Sequence, residues 1–230
     1  MNNWDHHLSA ILQNIMLSED KSIMTGLLIS VALFFGLHMI AAFPKMRGFF
    51  IRHLGKGVYF SLFSLLALVS LTAGVYYYRH APFILLWKTP LWAYWIPAIL
   101  MPFAFILLVS TYMSPKISNI TRHPMLWSVI LWSLPHLSVN GDLASVIVFG
   151  GFLAFAIVDQ PLNDAKLRQI SPEKWVKLSG SSCIPFYAIL KNKTPLRFNS
   201  IGIWPFSIGI TFYLLAIYLH PYVIGVSALP

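Results

Sequence analysis

Eight histidines outnumber the seven acidic residues of this 230-residue chain. With so few carboxylates, polar chemistry in an apolar interior falls to imidazole. His38 lies in Phe35-Gly36-Leu37-His38-Met39, and His136 in Trp132-Ser133-Leu134-Pro135-His136-Leu137. Neutral imidazole ligates haem iron, and two histidines on different helices of a bundle can supply both axial positions. Gly36 lets a bulky group approach the helix near His38. Pro135 removes a helical hydrogen bond just before His136 and frees backbone groups to bend or bind. For His38 the plain alternative is a hydrogen-bonded packing histidine. His123 sits in Thr121-Arg122-His123-Pro124, which reads as a helix start with proline at its first position. The free N–H groups there, with Arg122, would make an anion site for a haem propionate, a phosphate or a carboxylate. An ordinary capped interfacial helix is the other reading.

The remaining histidines read differently. His6-His7 is a pair in a polar tail, either solvated or metal-binding. His53 and His80 fall in interfacial loops, and His220 ends an apolar run beside Pro221. The single cysteine, Cys183, excludes an internal disulfide and a cysteine-built metal cluster. No GxSxG, GxxxxGK or HExxH pattern occurs, and no apolar run carries paired carboxylates.

The elements that must position these groups follow from composition. Hydrophobic residues make up 57% of the chain and charged ones 10%, against about 25% charged in ordinary soluble domains. Mean hydropathy is +0.70. So little charge cannot keep a soluble surface in water, so the solvent for most of the chain is lipid. A secreted disulfide scaffold, a disordered chain and a soluble nucleotide-binding enzyme are excluded. The expected class is an all-α, polytopic transmembrane bundle of about six spans with an N-terminal interfacial helix.

Charge-free runs of roughly 20 residues mark spans. They are Ile23–Phe43, Gly57–Tyr78, Trp92–Tyr112 bent by Pro102, the short Pro124–Val139, Leu143–Val158 reaching toward Pro161, and Ile201–His220. Residues 1–22 form a polar segment, not a signal peptide, with helical spacing at Ile11, Leu12, Ile15 and Met16. Residues 23–162 then form a five-span domain, 163–199 a polar segment, and 200–230 the sixth span and C-terminus. Asn140-Gly141-Asp142 is a turn, with Asp142 starting the fifth helix.

The net charge of +9 would suggest nucleic acid in a soluble protein. Here it sorts by side. With Pro44–Lys56 cytoplasmic, Lys45, Arg47, Arg52, Lys56, Lys116, Arg122, Lys166, Arg168, Lys174, Lys177, Lys191, Lys193 and Arg197 share that side. Lys21, Arg79 and Lys88 remain on the other. The positive-inside rule then places both termini in the periplasm, for a multi-pass protein of the bacterial inner membrane. Trp87, Trp92, Tyr94, Trp95 and Tyr76–Tyr78 form the outer aromatic belt. The partner is the bilayer, not nucleic acid.

One block of residues carries a resemblance. Thr121-Arg122-His123-Pro124-Met125-Leu126-Trp127 is followed by Leu131-Trp132-Ser133-Leu134-Pro135-His136-Leu137-Ser138-Val139-Asn140-Gly141-Asp142 and then Val148-Phe149-Gly150-Gly151. With Gly36-Leu37-His38, Pro44, Arg47 and Leu54-Gly55 upstream, the chain resembles the NnrU family over about residues 24–168. Residues 1–22 and roughly 169–230 stand outside that likeness. Where the family usually has alanine before the second histidine, this chain has Pro135.

The family is associated with denitrification and nitric oxide metabolism. Its plant and cyanobacterial relative, 15-cis-zeta-carotene isomerase, is an integral membrane enzyme that uses haem b to isomerise a polyene double bond. The resemblance implies haem b here, with His38 and His136 as metal ligands. Arg122 and His123 would then neutralise propionates, and Trp127 and Trp132 would line the pocket. If the chain is an enzyme, a haem-dependent cis-trans isomerase is the form expected, acting on a lipophilic small molecule; a redox role linked to denitrification is the other form. At 1.5 Å per residue, His38 lies about 8 Å, and His136 about 18–20 Å, from the cytoplasmic end of its span. Tilt, unequal span ends or a partnership of His38 with His123 must absorb that offset of roughly 10 Å.

Two other functions stay open. An Arg-His-Pro helix start also occurs in isoprenylcysteine-type methyltransferases, where it helps bind S-adenosylmethionine. The acidic group such enzymes add would here be Asp164 or Glu173. A non-enzymatic denitrification assembly factor, working with a membrane-protein partner, is the third reading.

Overall fold

The computed structural model describes residues 3–114, 116–185, 187 and 201–229, with side chains from Leu17 onward. The His6-His7 pair therefore lies outside the described side chains, and Lys191, Lys193 and Arg197 lie outside the described residues.

Among the described residues the chain is helical, with no strand beyond an isolated bridge between Leu85 and Asp142. Helix α1 runs Asn3–Ala42, so the polar N-terminal stretch and the first span form one uninterrupted helix. Pro44 opens α2, Pro44–Leu54, and Gly55 at φ 79° joins it to α3, Lys56–His80. After a 3-10 turn, Leu91–Tyr94, comes α4, Trp95–Met113, which carries Pro102 inside it. Helix α5 is Pro124–Val139. Helix α6, Leu143–Ile170, contains a π-helical stretch at Val146–Gly150. The short α7, Pro172–Ser179, and the last span α8, Ile203–Val223, complete the chain.

Leu17–Ala42, α3, Leu91–Met113, α6 and α8 are long and apolar enough to cross a membrane. Helix α5 is apolar but shorter, with 16 residues. Large apolar side chains stay exposed on the outer faces, including Leu65 and Leu68 of α3, Ile99 and Phe103 of α4, and Leu214 of α8. Water would make such faces costly, whereas lipid does not. The protein is an all-α polytopic membrane bundle.

Packing sets the helices in the order α3–α1–α6–α5–α4–α8. Lipid is as apolar as leucine, so contact between spans depends on close fit. At the α4–α8 contact, a Cβ on Gly209 would lie 2.7 Å from the Cα of Ile106. Gly141 shows the same need at a turn. Its carbonyl accepts hydrogen bonds from the backbone N–H groups of Leu86 (2.7 Å) and Trp87 (3.1 Å), and a Cβ there would collide with the Trp87 carbonyl.

The molecule thus has two distinct ends. At the aromatic end the Ile84–Trp87 segment lies on the Asn140-Gly141-Asp142 turn. Asp142 caps α6 as expected, accepting from the Ser145 N–H at 3.0 Å and the Ser145 hydroxyl at 2.6 Å. At the basic end Lys166 Nζ reaches the Ala41 carbonyl at 3.2 Å, joining the end of α6 to the end of α1 beside α2 and the start of α5.

Candidate functional site

Each end of the bundle holds a cavity. The basic end is built around the residues that precede α5. The Arg122 N–H donates to the Ser182 carbonyl at 2.8 Å. Its guanidinium donates to the Ser181 carbonyl (2.9 Å), to Asp164 Oδ2 (2.8 Å) and to Cys183 Sγ (3.1 Å). The Cys183 carbonyl also accepts from Thr121 Oγ1 at 2.8 Å and from Trp127 Nε1 at 2.7 Å. Arg122 and Trp127 therefore clamp the 181–183 loop onto the bundle, and the Trp127 N–H is spent on that task.

His123 Nε2 stands 3.1 Å from Asp164 Oδ1. That is ion-pair range, but the alignment is poor, and Nε2 is buried without a hydrogen bond. Burial, reinforced by the Arg122 charge, pushes the His123 pKa below its ordinary 6.5 against the opposing pull of Asp164. Asp159, one turn before Asn163, accepts from the Asn163 amide at 2.7 Å through Oδ2, while its Oδ1 is buried and unbonded. Its carboxylate is close enough to interact electrostatically with His38, His123 and Lys166. A cavity of about 320 Å³ opens here, lined by Arg47, Arg122, His123, Asn163, Asp164 and Lys166, among others.

His123, Asp164 and Cys183 place three ligand atoms within 4.8 Å of one another. Arg122 already holds both the carboxylate and the sulfur, so a cation occupies the position a metal ion would need.

His38 lies on α1 in a cage of rings, 4.3 Å from Phe34, 5.2 Å from Phe63 and 5.9 Å from Phe155 between centroids. Its Nδ1–H donates to the Phe34 carbonyl at 2.8 Å. A carbonyl only accepts, so the neutral ring carries its lone pair on Nε2. His136 repeats the arrangement on α5, donating from Nδ1 to the Trp132 carbonyl at 2.7 Å. Its ring stacks on Phe149 at 4.9 Å, and Phe149 belongs to the π-helical stretch of α6. Such stretches often mark functional sites.

The two predicted ligands do not meet. Phe34 packs on Phe152 at 5.3 Å, Phe152 on Trp132 at 5.2 Å, and Trp132 on His136 at 5.7 Å. His38 and His136 are linked through this layer of rings. His38 lies toward Asp159 and the basic end. His136 faces a second cavity, of about 310 Å³, at the aromatic end.

That cavity lies between α4, α5, α8 and the segment Val226–Leu229, with walls that include Tyr94, Met101, Phe105 and Tyr213. His220 lines it as well. The His220 Nδ1–H donates to the Val226 carbonyl at 2.7 Å, so here too the Nε2 lone pair is left available. His136 and His220 are near enough to interact electrostatically. The sequence signal that set His220 aside was its place at the end of a run. Asp159 was missed as a member of the basic end, and Asp164 was named only for the methyltransferase reading, because α6 continues to Ile170, past the expected end of the span.

Comparison with known proteins adds one match. The family model for NnrU protein aligns with residues 26–228. No curated protein and no solved structure matches the chain. The aligned stretch extends well beyond the resemblance read over about 24–168, and takes in α7, the 181–183 loop, α8 and His220. Apart from Leu229, the residues lining both cavities lie within the stretch that the family model covers, and the chain belongs to the NnrU family.

Proposed function

We propose that this NnrU protein is a membrane-embedded haem b protein whose cofactor is held at the aromatic end, acting on a lipophilic small molecule or in redox chemistry linked to denitrification. The observation that carries this reading is a pair of imidazoles on one cavity. His136 and His220 both line it, each with Nδ1–H tied to a carbonyl and Nε2 open. A carbonyl that accepts from the other ring nitrogen orients a ligating histidine and fixes its tautomer.

Phe34, Phe152 and Trp132 pack between His38 and His136, which favours His220 over His38 as the partner of His136 in this reading. The donor chemistry of His136 with His220 fits. At about 310 Å³ the cavity stands at the small end of ligand pockets, roughly 300–1,000 Å³. Val226–Leu229 forms one wall and supplies the carbonyl that orients His220. Haem iron would supply one-electron chemistry, or a centre that polarises a polyene double bond. The chain's own residues would do the rest. Met101, Phe105 and Tyr213 would bind the lipophile and exclude water, while the Tyr213 hydroxyl stays committed to the Ala98 carbonyl at 2.9 Å.

The methyltransferase reading needs a free carboxylate near Arg122 and His123. Asp164 is the one at hand, and it is already engaged by both residues. An assembly factor would need no ligand cavity between its helices.

An absorption spectrum of the protein purified in detergent tests the proposal. A Soret band, lost in His136→Ala and kept in His38→Ala, is expected. A colourless, fully folded protein from haem-replete cells overturns it.

A further inference from the structure

The basic-end cavity is independent of the haem reading, and its charges are unbalanced. Arg47 from α2, Arg122 ahead of α5 and Lys166 from α6 line it, against the carboxylate of Asp164, with the Asp159 carboxylate close enough to attract Lys166. Asp164 is already paired with Arg122 at 2.8 Å. Among the described residues Arg47 and Lys166 form no ion pair. Arg47 lies over the Phe60 ring at 5.4 Å, and Lys166 reaches a backbone carbonyl. The two cations are near enough to repel each other. Converging like charges are destabilising unless an anion lies between them.

Unbonded polar atoms lie in the same place. His123, with only 9% of its side chain exposed, lines the cavity, its Nε2 standing 3.1 Å from Asp164 Oδ1 without a well-aligned hydrogen bond. Arg122 Nε is buried and unbonded as well. Helix α5 starts here, so its first N–H groups add to the positive potential. Leu167, Ile170 and Leu178 give the cavity an apolar wall. Basic pockets between spans, level with the headgroups, suit anionic lipid.

We propose that this cavity binds a phosphate group, with Arg47 and Lys166 as its principal cations and His123 as a buried polar contact. The source is either the headgroup of an anionic phospholipid or a free phosphate compound. Arg122 is retained in its clamp on Asp164 and the 181–183 loop. Occupation offsets the repulsion between Arg47 and Lys166 and ties α2 to α6.

Thermal unfolding of the full chain in neutral detergent tests this, with phosphatidylglycerol, phosphatidylcholine or inorganic phosphate added. Phosphatidylglycerol should raise the unfolding temperature by several degrees over phosphatidylcholine. Arg47→Gln and Lys166→Gln should each abolish that difference. A rise with inorganic phosphate equal to that with phosphatidylglycerol assigns the site to soluble phosphate compounds. No response to either phosphate source overturns the proposal, and so does an undiminished response in both variants. If one variant does not fold, the other carries the test.

Discussion

The two cavities have similar volumes, about 310 and 320 Å³, and opposite chemistry. At the aromatic end two histidines stand among tyrosine, phenylalanine and methionine, with no lysine, arginine or acidic side chain among the described residues of the lining. At the basic end His123 shares its cavity with two arginines, a lysine and Asp164. The same side chain is set to different work by its surroundings. Where only carbonyls answer it, imidazole has its Nδ1–H committed and leaves Nε2 as the nitrogen able to bind a metal. Where charges converge, it becomes one polar atom in an electrostatic site whose character is set by arginine and lysine.

The largest effect that would break this contrast is spectral. His136→Ala and His220→Ala should each lose most of the bound haem absorbance, while His38→Ala keeps it. Loss in His38→Ala with retention in His220→Ala would return the ligand role to His38 and make the aromatic layer between His38 and His136 a closed form of the site.

The next effect belongs to the basic end. Asp164→Ala leaves Arg122 and His123 buried without their carboxylate. Breaking a buried pair in this way costs about 3 kcal/mol, measurable as a lowered unfolding midpoint in detergent. The haem spectrum should not change. If it does, the two ends are coupled and the contrast is too sharp.

A smaller loss is expected in Trp127→Phe. It removes the hydrogen bond to the Cys183 carbonyl and should cost about 1 kcal/mol. Faster proteolysis near the 181–183 loop, with an unchanged spectrum, would show that Trp127 works as a clamp and not as cofactor lining.

The smallest effect is in pH dependence. The folded His123 pKa lies below its ordinary 6.5, so the unfolded chain binds the extra proton first. Stability should be full above about pH 6.5 and fall as pH drops through the folded value. Unfolding midpoints across pH 5 to 7.5 should show this slope, and His123→Gln should flatten it. An identical slope in the variant would assign the titration to another group.

Much of this was legible in advance. The charge-free runs marked every long helix, the short α5 and the Asn140-Gly141-Asp142 turn, because lipid leaves the backbone no partner but itself. Arg122-His123-Pro124 stood out as a helix start beside basic groups. The Asp159, Asn163 and Lys166 spacing of one helical face was also visible, but its use depended on α6 running on to Ile170. The segment after it was too polar to read as part of a bundle, so Cys183 and the loop it anchors stayed out of view. His220 was hidden for another reason. Its cavity neighbour, His136, comes from a distant part of the chain, and no local pattern announces their meeting.

By itself, then, the sequence determined the solvent, the helical class, the approximate spans and the residue type able to do chemistry within them. Those follow from composition and period, which act locally. Which histidines share a cavity was decided only by tertiary structure. Uniformly apolar helices carry little information about their neighbours, since lipid and leucine are nearly equivalent surroundings. Close contacts such as Gly209 on Ile106, and the ring layer of Phe34, Phe152 and Trp132, select the neighbours. They set His136 beside His220 and leave His38 on the other side of a filled aromatic wall.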